Sequence, residues 1–150
     1  MSSAPFDTGL VTARLQALSP QPFSLIGSVV EYGKITDLTG FATPSVYVLP
    51  GSEKGSSDAQ QRVQVAECLF GVVIAVRNYA PGADGLTREL RPLIATVRDT
   101  LTGWMPDRFC TTPVQWVQGD ILDFDAGTLV WMDVFRVRHT TGGSKCRTSR

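Results

Sequence analysis

The stretch Val63-Gln-Val-Ala-Glu-Cys-Leu-Phe-Gly-Val-Val-Ile-Ala-Val-Arg77 decides the fold of this chain. Its first residues alternate between apolar and polar, which is the pattern of a strand with one covered face. From Phe70 to Val76, β-branched residues occur at both parities, which is typical of a central strand covered on both faces. Gly71 indicates a bulge or a close approach to the backbone. The sequence therefore predicts that the longest strand begins after Arg62 and runs to Arg77.

Two other segments have apolar residues at helical spacing. The first runs from Asp7, which suits an N-cap, to Leu18, and Pro20 stops it. The second carries Leu86, Leu90, Leu93, Ile94, Val97 and Leu101 and ends at Gly103. Pro92 fits a helix only within the first turn, so we expect the second helix to begin near Arg91.

The remaining predicted strands are Leu25 to Tyr32, Ser45 to Leu49, Val114 to Leu122 and Thr128 to Arg138. Pro50-Gly51 ends the second of these. Residues 51–61 contain no large apolar side chain, so we expect an exposed and mobile loop there. Residues 123–127 suit a hairpin turn between the last two strands.

This order of elements predicts an α+β fold. Short connections favour an antiparallel or mixed β-sheet of about four to five strands, with two helices packed on one face. A chain of 150 residues and 16.3 kDa has the size of one domain and can bury a core. We expect residues 1–139 to form that single domain and residues 140–150 to form a flexible, basic C-terminal tail.

Composition and charge narrow the classes of function. Fourteen basic residues balance fourteen acidic ones, whereas a protein that mainly binds nucleic acid has a basic excess or a basic stripe. The cysteines, Cys68, Cys110 and Cys146, are widely and irregularly spaced, which indicates a reducing compartment. The start of the chain lacks the pattern of a signal peptide, and the longest apolar run is too short to span a bilayer. We expect a protein that folds in the cytosol and does not enter a membrane.

The sequence offers little for catalysis or metal binding. Its one histidine, His139, lies at the end of the last predicted strand, and we interpret it as a solvated residue, not a general base. Asp120, Asp123 and Asp125 resemble part of a calcium loop but lack its Glu ligand and flanking helices, so a polar turn is the better interpretation. With one histidine and scattered cysteines, we expect no zinc site, no cofactor and no catalytic residue.

Aromatic residues and one acid point to packing or to a protein interface. The tryptophans are Trp104, Trp116 and Trp131. They could stack on bases, but their neighbours are not basic, so core packing or a protein interface is preferred. Asp133 is the one ionisable group on an apolar face of the last strand. Either it is exposed or it pairs with an arginine such as Arg77 or Arg98, and we favour a structural or intersubunit ion pair.

The order of these features resembles a known family. Its segments here are the helix Asp7 to Leu18, the strand end Pro44-Ser-Val-Tyr-Val-Leu-Pro50, the long strand through Glu67 to Asn78, the helix end Leu101-Thr-Gly-Trp-Met-Pro106 and the strand Leu129-Val-Trp-Met-Asp-Val-Phe135. Together they are similar to the tail terminator proteins of tailed bacteriophages, the phage tail terminator-like (Mu-type) family. The resemblance covers the chain up to about His139.

The resemblance implies a structural protein of the virion, without a cofactor or catalytic residues. It implies a ring, typically hexameric, that caps the finished tail tube, stops polymerisation of the major tail tube protein and joins the head–tail connector. DNA would pass through the lumen with at most passive contact, and assembly would take place in the bacterial host cytoplasm. The alternatives are another neck protein, such as a head-closure or head–tail adaptor protein, and a small enzyme that uses Asp133 or His139.

Overall fold

A computed structural model describes residues 4–29, 32, 43–55, 63–77, 83–124 and 127–142, and seven named helices and strands lie within these ranges. In chain order they are α1 (Gly9–Gln16), β1 (Leu25–Ser28), β2 (Ser45–Gly55), β3 (Val63–Arg77), α2 (Ala83–Leu101), β4 (Gln115–Phe124) and β5 (Thr128–Gly142). The strands form one sheet in the order β1-β2-β3-β5-β4. Only β1 and β2 are parallel; the other pairs are antiparallel. The predicted α+β fold with a mixed sheet is confirmed.

Strand β3 is the centre of the sheet, as its sequence predicts. It pairs with β5 along its whole length, from Val63 opposite Gly142 to Arg77 opposite Thr128. On its other side it pairs with β2. Residues Val72–Val76 are all at most 1% exposed, so both faces are covered at this point. Cover on both faces explains why the second half of this strand is apolar at both parities.

Both helices pack on one face of the sheet. Their buried residues are Val11 and Leu15 of α1 and Leu90, Leu93, Val97 and Leu101 of α2. They cover Phe70 and Phe135, whose rings stack at 5.5 Å between centroids. Burying one such ring contributes about 1.5–3 kcal/mol. This face holds the larger of the two buried clusters and is therefore the main core. The opposite face has a smaller cluster of Tyr47, Val73, Ala75 and Val130, with Tyr32 packed against Tyr47.

The first helix begins later than its sequence indicates. Thr8, not Asp7, is the N-cap residue, and its side chain makes no capping hydrogen bond. The Asp7 carboxylate instead accepts a hydrogen bond from the Gly9 N–H at 2.9 Å. Asp7, the residue before the N-cap, therefore accepts a hydrogen bond from one of the backbone N–H groups that the first turn leaves without a partner inside the helix.

The second helix begins well before Arg91, so that prediction is wrong. It starts at Ala83 and contains Pro92 in its interior. A proline inside a helix removes a hydrogen bond and costs roughly 3 kcal/mol. Here Pro92 is exposed while Leu90, Leu93, Val97 and Leu101 bury one continuous face, and that burial offsets the cost. Gly103, with φ at +85°, follows the helix end and takes the left-handed conformation that favours glycine.

Strand β2 corrects the predicted loop. It does not end at Pro50 but continues to Gly55, with Lys54 opposite Glu67. Residues 51–55 are exposed, yet their backbone pairs with β3, which needs no apolar side chain. Residues 56–61 of that predicted loop lie outside the described residues.

The bulge is on β2 and not at Gly71. The register shifts between Pro50 and Glu53, whereas Gly71 pairs regularly with Leu49 and Val134. A Cβ atom at Gly71 would lie 3.2 Å from Met132 Sδ, so Gly71 marks a close approach, the second of the two possibilities that its sequence position indicates.

The other strand ends also differ from the sequence pattern. β1 ends at Ser28, β4 reaches Phe124, and β5 extends to Gly142, where the predicted strand ended at Arg138. Thr140 and Thr141 pair with Val65 and Gln64, so the first residues of the predicted tail belong to the sheet. Residues 143–150 lie outside the described part of the chain. No helix in the described part is long and apolar enough to cross a membrane.

Candidate assembly surface

A buried carboxylate organises the side of the sheet where β4 and α2 meet. Asp133, fully buried on β5, receives two hydrogen bonds from Arg98, Nε to Oδ2 and Nη2 to Oδ1, each 2.8 Å long. Its Oδ1 also accepts the indole N–H groups of Trp116, at 3.2 Å, and Trp131, at 2.9 Å. Four donors, two of them charged, compensate for the desolvation of this carboxylate. Of the two partners that the sequence suggests for Asp133, the structure selects Arg98.

The same cluster fixes two large side chains at the surface. The Arg98 guanidinium lies 4.2 Å from the centre of the Trp116 ring, a cation–π distance. The hydrogen bond to Asp133 raises the pKa of Arg98, so its charge is permanent. Trp116 is nevertheless 44% exposed. It is thus an aromatic side chain held rigidly in place while part of its ring faces solvent.

Gly119 is a residue of this cluster that sequence reasoning missed. It pairs with Asp133 across β4 and β5. A Cβ atom at Gly119 would lie 2.5 Å from Asp133 Oδ1, 2.7 Å from Trp131 Cζ2 and 2.8 Å from Arg98 Nη2. Only a glycine therefore leaves room for the guanidinium and the indole to reach the carboxylate. A glycine inside a predicted strand was the available signal.

Strand β4 exposes an apolar surface at the edge of the sheet. Its large exposed apolar residues are Trp116, Val117, Ile121, Leu122 and Phe124, with exposures from 40% to 61%. Two register shifts, one after Trp116 and one after Ile121, place apolar residues on both faces of the strand. Within the described residues no strand pairs with the outer edge of β4. An exposed, apolar strand edge of this kind invites pairing with another chain.

A groove lies beside this edge. It has a volume of about 460 Å³ and is lined by Arg91, Ile94, Arg98, Trp116, Gly119 and Trp131. Its two arginines and two tryptophans could hold an apolar side chain with an acidic neighbour. The groove and the edge of β4 together form what we call the β4 surface.

The opposite edge of the sheet is also partly apolar. On β1, Leu25 is 36% exposed, and Val29, just after the strand, is 48% exposed. The described chain therefore has two different unpaired strand edges at the two ends of one sheet. This arrangement suits a contact in which unlike surfaces of neighbouring subunits meet.

The structure places the remaining candidate residues as follows. His139 is 6% exposed, so the prediction of a solvated residue is wrong: its Nε2 lies 3.0 Å from Glu53 Oε1. β2 and β5 both extend further than predicted, which is why His139 ends up inside the sheet. Asp120 accepts a hydrogen bond from Gln118, and Asp123 accepts one from the Phe124 N–H. Asp125 lies outside the described residues.

Two of the tryptophans and two of the cysteines contribute to core packing. Trp104 and Trp131 are half-buried against the core, and Arg14 stacks on Trp104 at 4.7 Å. Cys68 and Cys110 are free and buried. Burial raises the pKa of Cys68 to about 12 and that of Cys110 to about 11, so both are thiols at neutral pH.

Comparisons with known proteins agree with this architecture. A chain of a solved structure described as "Virion of native gene transfer agent (GTA) particle" has the same fold, with a TM-score of 0.57 and 16% identity, covering 87% of this chain and 91% of that chain. No curated protein sequence matches the chain. The model of the family described as phage tail terminator protein matches residues 1–145. Because that match spans nearly the whole sequence, the chain belongs to the phage tail terminator family.

Proposed function

We propose that this protein forms a closed ring, a homohexamer, that caps the phage tail tube. The ring would stop polymerisation of the major tail tube protein and offer its other side to the head–tail connector. DNA would pass through the lumen without specific contacts, and assembly would take place in the host cytoplasm. The role is structural, without catalysis.

The observation that carries this proposal is the exposed apolar edge of β4. Isolated, such an edge is an aggregation hazard, so a stable protein needs a partner for it. The β1 edge, with exposed Leu25 and Val29, is a different surface at the far end of the same sheet. Contact of β4 in one subunit with the β1 side of the next is heterologous, and a repeated heterologous contact closes into a ring when the rotation allows it.

The chain has enough surface for two such contacts. Its accessible surface is 8762 Å². Two interfaces of about 800 Å² per partner would use roughly a fifth of it. Most of the surface then remains for the tube protein below and the connector above. The zero formal net charge does not oppose close packing of identical subunits.

Substitutions at the edge test the proposal. Ile121→Asp and Phe124→Asp place a charge at the two most exposed apolar positions of β4, 61% and 54% exposed. Met105→Asp is the matched control, because Met105 is 45% exposed but lies outside both edge strands. Each variant would be mixed with purified tail tubes and the tube ends examined by electron microscopy.

We expect wild type and Met105→Asp to cap the tubes and stop their growth. We expect both β4 variants to stay folded and leave the ends bare, because a buried charge without a partner costs several kcal/mol at a contact. Capping by the β4 variants would refute the role of this edge. A wild-type protein that binds heads but not tubes would favour the adaptor alternative.

A further inference from the structure

Three side chains of types that bind metal ions meet at one end of the sheet, the end remote from the turn between β4 and β5. They are Glu53 of β2, Cys68 of β3 and His139 of β5, three neighbouring strands. One ligand atom from each lies within 4.8 Å of the others, and His139 Nε2 is 3.0 Å from Glu53 Oε1. The three residues are at least 15 positions apart along the chain, so they form no recognisable sequence motif.

Strand register brings these residues to one face. Cys68 lies opposite Val137, and Ala66 lies opposite His139, so Cys68 and His139 are diagonal neighbours on the helix side. Glu53 lies opposite Cys68 because of the register shift between Pro50 and Glu53. Pro50 pairs with Phe70, so regular pairing would have put Ser52 opposite Cys68. The extra residue in β2 thus replaces a hydroxyl with a carboxylate at this place.

Two of the three residues of the cluster are buried, and the third is partly exposed. Cys68 is 4% exposed and His139 is 6% exposed, whereas the Glu53 side chain is 26% exposed. Phe6 covers the cluster, with its ring 6.3 Å from that of His139. A hollow of about 30 Å³ remains beside Glu53, Cys68 and Phe6. That volume suits one water molecule.

We propose that Glu53, Cys68 and His139 bind one zinc ion, with a water molecule in the hollow as the fourth ligand. Imidazole nitrogen, thiolate sulfur and carboxylate oxygen are the three donor types that zinc takes in proteins. Metal–ligand bonds of about 2.0–2.3 Å in a tetrahedron place the ligands roughly 3.3–3.8 Å apart, within the spacing of this cluster. On binding, Cys68 Sγ exchanges its proton for the metal and the proton leaves to solvent. One thiolate and one carboxylate then neutralise the two charges of the ion.

Zinc at this position would fasten β2 to β3 and β5 beneath Phe6. The exposed end of β2 has backbone pairing but no apolar anchor among residues 51–55. A bond to Glu53 would supply that anchor. The sequence expectation of no zinc site rests on spacing along the chain, and the proposal departs from it because strand register brings the three side chains together.

Cobalt provides the test, because Co²⁺ occupies tetrahedral zinc sites and a cysteine ligand gives it a strong near-ultraviolet charge-transfer band. The purified full-length chain, freed of metal with a chelator, would be titrated with Co²⁺ and then with Zn²⁺. We expect one equivalent of Co²⁺ to give the charge-transfer band with visible tetrahedral bands, and Zn²⁺ to abolish both. A wild-type protein that takes up neither metal overturns the proposal.

Variants identify the ligands. Cys68→Ser should abolish the charge-transfer band, and His139→Gln and Glu53→Gln should weaken Co²⁺ binding by more than about tenfold. Cys110→Ser and Cys146→Ser are the matched controls and should keep the band. A band that survives Cys68→Ser or disappears with Cys146→Ser refutes the site. Because folding could fail in a buried variant, circular dichroism accompanies each titration, and the wild-type stoichiometry decides independently of every variant.

Discussion

At the scale of single residues, the two partners of the Asp133–Arg98 ion pair differ in their exposure to solvent. Asp133 has no exposed side-chain surface, whereas the Arg98 side chain is 32% exposed. If Asp133 loses its charge, Arg98 can still reach water. If Arg98 is removed, the carboxylate stays buried with only two indole donors. The cost of breaking this pair should therefore depend on which partner is replaced.

We expect Arg98→Ala to lower the free energy of unfolding by about 3–5 kcal/mol, and Asp133→Asn by only about 2 kcal/mol. Asparagine can keep its carbonyl toward the two indoles. Arg138→Ala is the control. Both side chains of the Arg138–Glu67 pair are exposed to solvent, so losing this pair should lower the free energy of unfolding by less than about 1 kcal/mol. Urea unfolding measures all three, and a larger loss for Asp133→Asn than for Arg98→Ala would contradict this reading.

Gly119 gives a second prediction at the same scale. Gly119→Ala should separate Arg98 from Asp133, because the added methyl group would occupy the space of the contact atoms. We expect a loss of about 1–3 kcal/mol together with greater exposure of Trp116 and Trp131. Tryptophan fluorescence and urea unfolding would show it. Unchanged stability and emission would mean that β4 can shift away from β5 without cost.

The buried thiol of Cys110 predicts a pH dependence. Its pKa is raised from 9.0 to about 11 by burial, so between those values the folded protein holds a proton that the unfolded chain has lost. The contribution to stability is full below pH 9 and is lost as the pH rises toward 11. Relative to Cys110→Ser, wild type should lose about 2–3 kcal/mol over that range. Parallel pH profiles of the two proteins would contradict this cause.

At the scale of elements, the extension of β2 depends on one glycine. A Cβ atom at Gly51 would lie 2.5 Å from the Leu69 carbonyl oxygen, which belongs to the backbone and cannot rotate away. Gly51→Ala should detach the strand beyond Pro50, whereas at Gly55 the added atom meets only the Gln64 side chain, at 3.6 Å. We expect hydrogen exchange at residues 53–55 to speed up in Gly51→Ala and to stay slow in Gly55→Ala. Equal exchange in both variants would show that the bulge tolerates a side chain.

Features that leave an apolar pattern can be predicted from the sequence, whereas features that depend on how strands pair cannot. The sequence predicts both ends of β3, because a strand that is buried on two faces has a continuous run of apolar residues. The end of β2 was missed because exposed backbone pairing leaves no apolar pattern. The sequence predicts that Asp133 can pair with an arginine. It does not predict the role of Gly119, because that role depends on a distance between strands. The sequence misplaces His139 for a related reason: it does not show how far β2 and β5 each extend along β3, on its two sides.

At the scale of the whole molecule, we propose that the two edges of the sheet are the two sides of one contact between neighbouring subunits of a ring. Family membership makes this a tail terminator fold, and β4 supplies the surface that the isolated chain leaves uncovered. The groove of Arg91 and Arg98 beside β4 would add specificity at the rim of the same contact.

A cryo-electron microscopy structure of the assembled neck tests this claim most directly. We predict a closed ring of six copies seated on the last tube ring, with β4 of each copy against the β1 edge of its neighbour. Ile121 and Phe124 should then be buried between subunits. A single copy per neck, or a ring in which β4 still faces solvent, would contradict it.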